Sequence, residues 1–288
     1  VLDLQDATVA VVGLGLMGGS LAAALSARQA CRRVVGVARR RVTWEMARDL
    51  RFIDEGTSDL AAGLQDADIV VLALPVSQIL ETLGSLGPMI KPECLVTDVG
   101  STKGAICAAL AQLPAGVQPL GGHPMCGKET SGLSVAEPGL FEERVWVLCP
   151  LARTSPPALE LGRRLAQAVG ARPVVLDPER HDRAVAAVSH LPYLLAVALV
   201  NAVDTLARDE PATWGLAATG MRDTSRLASS DLTMMLDILA TNRAAILATL
   251  GVAREQLAAL EMTLRDAETD DLLALLRAAH DRREEELR

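Results

Sequence analysis

Short apolar, β-branched runs recur through the first half of the chain, with helical spacing between most of them. Residues 8–12 (TVAVV), 34–37 (VVGV), 69–74 (IVVLAL), 94–98 (CLVTD) and 145–149 (VWVLC) read as strands buried on both faces, since few positions are polar. A small-residue stretch from about Gly18 to Ala27 reads as the first helix. A helix over Pro157 to Val169 leads into residues 172–176 (RPVVL), the last expected strand. Strand–helix alternation of this kind predicts a doubly wound α/β sheet with helices on both faces.

After Asp177-Pro178 the period changes. Glu179 to Ala207, Met234 to Leu250, Ala253 to Leu264 and Asp270 to Leu287 all read as helices, and no strand pattern remains. The expected organisation is an α/β domain over residues 1–178 and an all-α domain over 179–288. The apolar faces of those helices exceed what a small unit covers alone, which predicts burial against a second copy. The charged end, Asp281 to Arg288, is expected to be solvated.

Composition narrows the function. Half of the 288 residues are hydrophobic but only 2% are aromatic, so the core must be built from Leu, Val and Ala. A formal net charge of -8 argues against nucleic-acid partners, which need clustered Lys and Arg. Cys31, Cys94, Cys107, Cys126 and Cys149 form no CxxC pair, which points to reduced thiols and no metal site. No signal peptide is visible, and the longest apolar run, Leu191 to Val200, is too short to span a bilayer and contains Pro192. The expectation is a soluble cytoplasmic protein with no membrane partner.

Gly13-Leu14-Gly15-Leu16-Met17-Gly18 follows the first strand and opens the first helix, the setting in which GxGxxG binds a dinucleotide. Gly13 permits the turn, Gly15 admits the pyrophosphate, and Gly18 lets helix pack on strand. Leu16 and Met17 supply the helix N-terminus. This predicts a Rossmann-type domain. At the end of the second strand, Val37-Ala38-Arg39-Arg40-Arg41 offers guanidinium groups where an NAD enzyme usually offers a carboxylate. Arg39 and Arg40 there suit a 2′-phosphate and favour NADP over NAD; a solvated basic turn is the alternative.

Three further segments end at the same edge of the sheet. Leu74 and Pro75 should border the nicotinamide end, and Asp98 opens DVGSTKG. A glycine-rich loop, residues 121–132, then holds His123 between rigid neighbours. A neutral imidazole near pH 7 is suited to taking a hydroxyl proton, with Ser101 orienting the ring; the alternative is a structural histidine. In the helical half, Ser189-His190 lies in an apolar helix, either near substrate or as a satisfied core histidine. Arg222 and Arg226, in GMRDTSR, either clamp a substrate carboxylate or pair with Asp223 or Asp231. Glu129, at the tip of the His123 loop, is expected to gate the pocket, and Cys126 to be structural. His181 and His280 lie in charged helical surroundings and are expected on the solvated surface.

Together and in order, GLGLMGGS, DVGSTKG, HPMCGKETSG, SHLPY and GMRDTSR resemble the prephenate/arogenate dehydrogenase family of tyrosine biosynthesis, over about residues 8–280. The order and the basic second-strand end look nearest to the NADP-using arogenate dehydrogenases of the cyanobacterial and plant type. The resemblance implies a Rossmann domain followed by an all-α dimerisation domain. It also implies oxidative decarboxylation of arogenate to tyrosine with hydride transfer to NADP; prephenate, with NAD or NADP, is the alternative. By the same resemblance His123 is the catalytic base and Ser101 orients it, while His190, Arg226 and Glu129 match residues at the substrate. The family often has Ala where this chain has Cys126. No ACT or chorismate mutase domain is recognised, so any feedback control is expected at the active site. A β-hydroxyacid dehydrogenase would use a lysine in its helical half, and no lysine follows Lys128. A non-catalytic NADP sensor would need neither the histidine nor the arginines.

Overall fold

All five side chains of β1 (Thr8–Val12) are buried, because β1 is hydrogen-bonded on both sides and covered on both faces. The computed structural model describes residues 2–266 and 269–286. After β1 come α1 (Leu16–Ala27), β2 (Arg33–Val37), α2 (Arg41–Asp49), β3 (Glu55–Thr57), α3 (Leu60–Leu64) and β4 (Ile69–Leu72). Then follow α4 (Val76–Leu86), β5 (Leu95–Asp98), α5 (Gly104–Leu110), β6 (Gln118–Pro124), β7 (Val145–Pro150), α6 (Pro156–Ala168) and β8 (Arg172–Val175). They form one eight-stranded sheet in the order β3-β2-β1-β4-β5-β6-β7-β8, parallel except for β7 against β6. This is the expected Rossmann-type sheet. The strand order reverses between β1 and β4, which are parallel, and this switch point opens a crevice at their C-terminal ends.

The pleat divides the core in two. Val9 and Val11 pack with Leu21, Leu25 and Trp146 on one face, while Ala10 and Val12 pack with Leu72, Ile79 and Val96 on the other. Two strands, β3 and β6, lie outside the sequence pattern. The segment expected as a histidine loop begins as a strand, because Gln118–Pro124 pairs with both β5 and β7. Its two Pro and two Gly read locally as a turn. At Gly122, however, a Cβ would stand 2.4 Å from the Asp98 carbonyl oxygen, so the glycine is there to let two strands approach.

The rest of the chain is helical: α7 (Pro178–Val185), α8 (Leu191–Ala207), α9 (Thr219–Ser225), α10 (Leu232–Thr241), α11 (Arg243–Asp266) and α12 (Thr269–Glu286). Leu287, expected to end the last helix, lies outside the described residues. A π turn, Ala186–His190, joins α7 to α8. Pro192 has no N–H to give the preceding turn, and the wider turn absorbs that loss. The joined run, Pro178–Ala207, is 30 residues long with a mean hydropathy of 1.7 in its most apolar window. By length and composition it is enough to cross a membrane, unlike the ten-residue run read from the sequence; core helices of globular proteins pass the same test. Tight packing divides the chain into two units, residues 1–243 and 244–288. The first holds the sheet and α7 to α10. The second holds nearly all of α11 and α12, with Leu257 and Met262 exposed.

Candidate active site

The chain leaves β1 through Gly13 at φ +97°, where a Cβ would stand 2.3 Å from the Ala73 carbonyl oxygen, so only glycine fits. Gly15 caps the twelve-residue α1 without a side-chain hydrogen bond, and nothing lies within 4 Å of where its Cβ would be. The first-turn amides of α1 are thereby left for an anion, at the edge of a groove of about 1200 Å³. Gly13, Gly15, Arg39, Arg40, Leu74 and Pro75 line that groove. Leu16, Met17 and Gly18 form the first turn behind it; a Cβ on Gly18 would stand 1.9 Å from the Gly13 carbonyl oxygen. Arg41 turns away to Glu45, at 2.7 Å, and over the Trp44 ring. These features fit a dinucleotide.

Asp98 is placed differently from its expected cofactor role. Its carboxylate is fully buried and forms an ion pair with Lys103, itself 0% exposed. Asp98 also accepts the N–H groups of Gly100, at 2.8 Å, and Gly122, at 3.0 Å. Lys103 Nζ donates to the Gly122 carbonyl at 2.7 Å. One ion pair thus holds both main-chain groups of Gly122, the residue preceding His123. Fully buried, Asp98 does not line the groove and is not open to a ribose.

The second correction concerns His181. It is 1% exposed, not solvated, because α7 turns His181, Asp182 and Val185 inward and leaves its arginines and Glu179 outside. His181 Nε2 lies 2.8 Å from His123 Nδ1, and His181 Nδ1 lies 2.8 Å from Asp182 Oδ1. Asp182 also accepts the amides of Lys103, at 2.7 Å, and Gly104, at 2.8 Å. Burial alone would raise the pKa of Asp182, but these bonds outweigh it and hold the carboxyl below the ordinary aspartate range. Burial, the Lys103 charge and the neighbouring His181 and His190 hold the His123 imidazole well below the ordinary histidine range. His123 is therefore neutral at pH 7 and able to accept a proton. The partner of its ring is His181; Ser101 lines the same cavity. His280 is exposed beside Asp281, as expected.

That cavity, about 820 Å³, brings Ser101, His123, Glu129, Ser189, His190 and Arg226 together. His190 sits in the π turn, 1% exposed, and burial lowers its pKa to about 4. Asn242 Nδ2 lies 3.3 Å from His190 Nδ1 and donates to the Asp182 carbonyl at 2.8 Å. Arg226 pairs with Glu129 across the opening, rather than with Asp223 or Asp231. Arg222 is exposed on α9 and lines no part of the cavity. Cys126 lines it, but burial pushes its thiol up to about 11, which suits a structural role.

Sequence reasoning missed Lys103, His181, Asp182 and Asn242. A signal existed for the middle pair. In PERHDRAVA the positions 181, 182, 185 and 186 make one stripe of a helix that continues into an apolar segment. For Lys103 and Asn242 nothing local distinguishes them from surface residues.

Comparison with known proteins agrees with this geometry. Residues 21–175 match the family model described as prephenate dehydrogenase, nucleotide-binding domain. Residues 177–278 match prephenate dehydrogenase, dimerization domain. A prephenate dehydrogenase of Bacillus subtilis (strain 168) is 36% identical over 242 residues, 83% of this chain. The chain spans 65% of that relative's length. Synechocystis arogenate dehydrogenase superposes with a TM-score of 0.84 at 34% identity, covering 96% of this chain and 99% of that one. Prephenate dehydrogenase from A. aeolicus, in complex with hydroxyphenyl propionate and NAD+, superposes with a TM-score of 0.90 at 29% identity, covering 97% and 98%.

Two measurements test the electrostatics. Lys103→Met should cost about 3–5 kcal/mol in urea unfolding, by stranding a buried carboxylate, and adding Asp98→Asn should recover part of the loss. His190, neutral in the fold down to about pH 4, makes no difference to stability above its unfolded pKa of roughly 6.5. As pH falls from there the unfolded chain binds the proton first. The loss grows until both states are protonated, to on the order of 3 kcal/mol. In unfolding midpoints taken from pH 7.5 to 4, His190→Gln should show a correspondingly flatter acid decline.

Proposed function

Because the chain belongs to the prephenate/arogenate dehydrogenase family, we propose that it is an NADP-dependent arogenate dehydrogenase forming tyrosine by oxidative decarboxylation. The observation that carries this reading is one neutral histidine, His123, lining a cavity that Arg226 also lines. His123 takes the proton of the ring hydroxyl. NADP, bound in the groove of Gly13 and Gly15, supplies the hydride acceptor. The ring carboxylate leaves as carbon dioxide, its bonding electrons complete the aromatic ring, and His123 returns the proton to the phenolate oxygen. Arg226 binds the side-chain carboxylate, released from Glu129, which gates the opening; Ser101, Ser189 and His190 complete the substrate's surroundings.

NADP is supported by Arg39 and Arg40, which line the groove and form no ion pair among the described residues. Synechocystis arogenate dehydrogenase, at 34% identity, supports the aminated substrate. A second reading, prephenate, has its own observation. Glu129 is the one carboxylate lining the cavity among the described residues, and its pairing with Arg226 leaves a substrate ammonium without an anionic partner.

We assign nucleotide binding to residues 1–178, and substrate binding and dimerisation to 179–288. Exposed Val188, Leu206 and Leu236 support a homodimer, and five unpaired cysteines suit the cytoplasm.

Steady-state assays crossing arogenate and prephenate with NADP and NAD test the activity. Arogenate with NADP is expected to give the highest kcat/KM, and the absence of cofactor reduction with every pair would overturn the reading. Replacing Arg39 and Arg40 together with Ala should raise KM for NADP roughly 10- to 100-fold, the value of one or two charge-assisted bonds, and leave NAD almost unchanged. Light scattering after size exclusion should give twice the 30.4 kDa chain mass.

A further inference from the structure

We propose that Asp182 sets the two cavity histidines in opposite tautomers, acting through His181 and Asn242. His123 then presents a bare Nε2 to the cavity and His190 presents an Nε2–H. The catalytic use of these rings rests on the functional reading above; the tautomers themselves do not.

The argument is one of donors and acceptors. The Asp182 carboxylate is ionised and can only accept. It accepts two main-chain amides, from Lys103 and Gly104, so its contact with His181 Nδ1 requires a hydrogen on that nitrogen. With its single hydrogen on Nδ1, His181 is then bare at Nε2. His123 Nδ1, 2.8 Å away, must donate. Otherwise two lone pairs would face each other inside the protein. His123 is neutral, so its hydrogen sits on Nδ1 and Nε2 is left as a base.

The second chain starts from the same residue. The main-chain carbonyl of Asp182 can only accept, which identifies the Asn242 atom beside it as the amide nitrogen. Its other hydrogen points to His190 Nδ1, which therefore accepts. His190 is neutral and carries its hydrogen on Nε2. One ring is thus fixed as a proton acceptor and the other as a donor for a substrate oxygen.

When a hydroxyl proton moves to His123 Nε2, the new imidazolium keeps its Nδ1–H on His181. Asp182, one ring further on, faces the positive charge. His181 and Asp182 touch no reacting atom; they are positioning residues.

The chain has four histidines, so a long-range 1H–15N correlation spectrum of 15N-histidine-labelled protein at pH 7.5 can be assigned by single substitutions. His123 is expected to show a protonated Nδ1 and bare Nε2, and His190 the reverse. Either ring in the other state overturns the proposal, including the case of a doubly protonated His181 donating to His123. Kinetics give a separate readout. His181→Leu should lower kcat roughly 100-fold, within the usual range for impaired acid–base catalysis, with KM for both ligands changed less than about threefold. His181→Gln, whose amide oxygen accepts from His123 Nδ1, should recover at least about tenfold of that. A kcat for a folded His181→Leu within about threefold of the parent would overturn the positioning role. If the parent turns over no cyclohexadienol, the functional reading fails while the spectrum still decides the tautomers.

Discussion

A carboxylate and an ammonium that both lack access to water cannot be separated without leaving a bare charge inside the protein. Asp98 and Lys103 are such a pair, and the candidate active site is assembled around them. Asp98 also accepts from Gly100, and both partners bond Gly122, which ties the end of β5 and the start of α5 to β6. With Lys103 in place, its own amide and that of Gly104 point at Asp182, so α7 docks where the sheet ends. The position of His123 follows from contacts that begin on either side of it.

The charges around the cavity are arranged to keep His123 uncharged. Lys103 opposes protonation of His123 from behind, and burial does the same. Asp182 is held ionised by hydrogen bonds, but it meets His123 only through the His181 ring. A carboxylate in direct contact would raise the pKa of His123; placed one ring away, it leaves His123 neutral. His190, 1% exposed, contributes a second neutral ring.

Legibility differed between elements for physical reasons. The strands β1, β4, β5 and β7 were readable because strands covered on both faces are apolar throughout. β6 was not, since Gly121 and Gly122 meet close approach from β7 and β5, and Pro119 has low strand propensity. The cofactor groove was largely readable, because a backbone turn that demands glycine leaves its mark in consecutive residues. His123, Ser101, Glu129, Ser189, His190 and Arg226 were also recognised, and the structure collects them in one cavity. Arg222 was grouped with Arg226 because both lie in the short polar segment GMRDTSR, but only Arg226 reaches Glu129.

By itself, then, the sequence determined six of the eight strands, the glycine turn, the basic end of β2, the family and the histidine of the cavity. Each is recorded in a short stretch of chain or in the order of such stretches. Tertiary structure alone decided that Asp98 is spent on Lys103, that His181 is buried and bonded to His123, and that Asn242 holds His190. Those contacts join residues between 5 and 58 positions apart. A local pattern reports how one element meets solvent. Which donor meets which acceptor, and hence where each proton sits, is settled only when separate elements pack together.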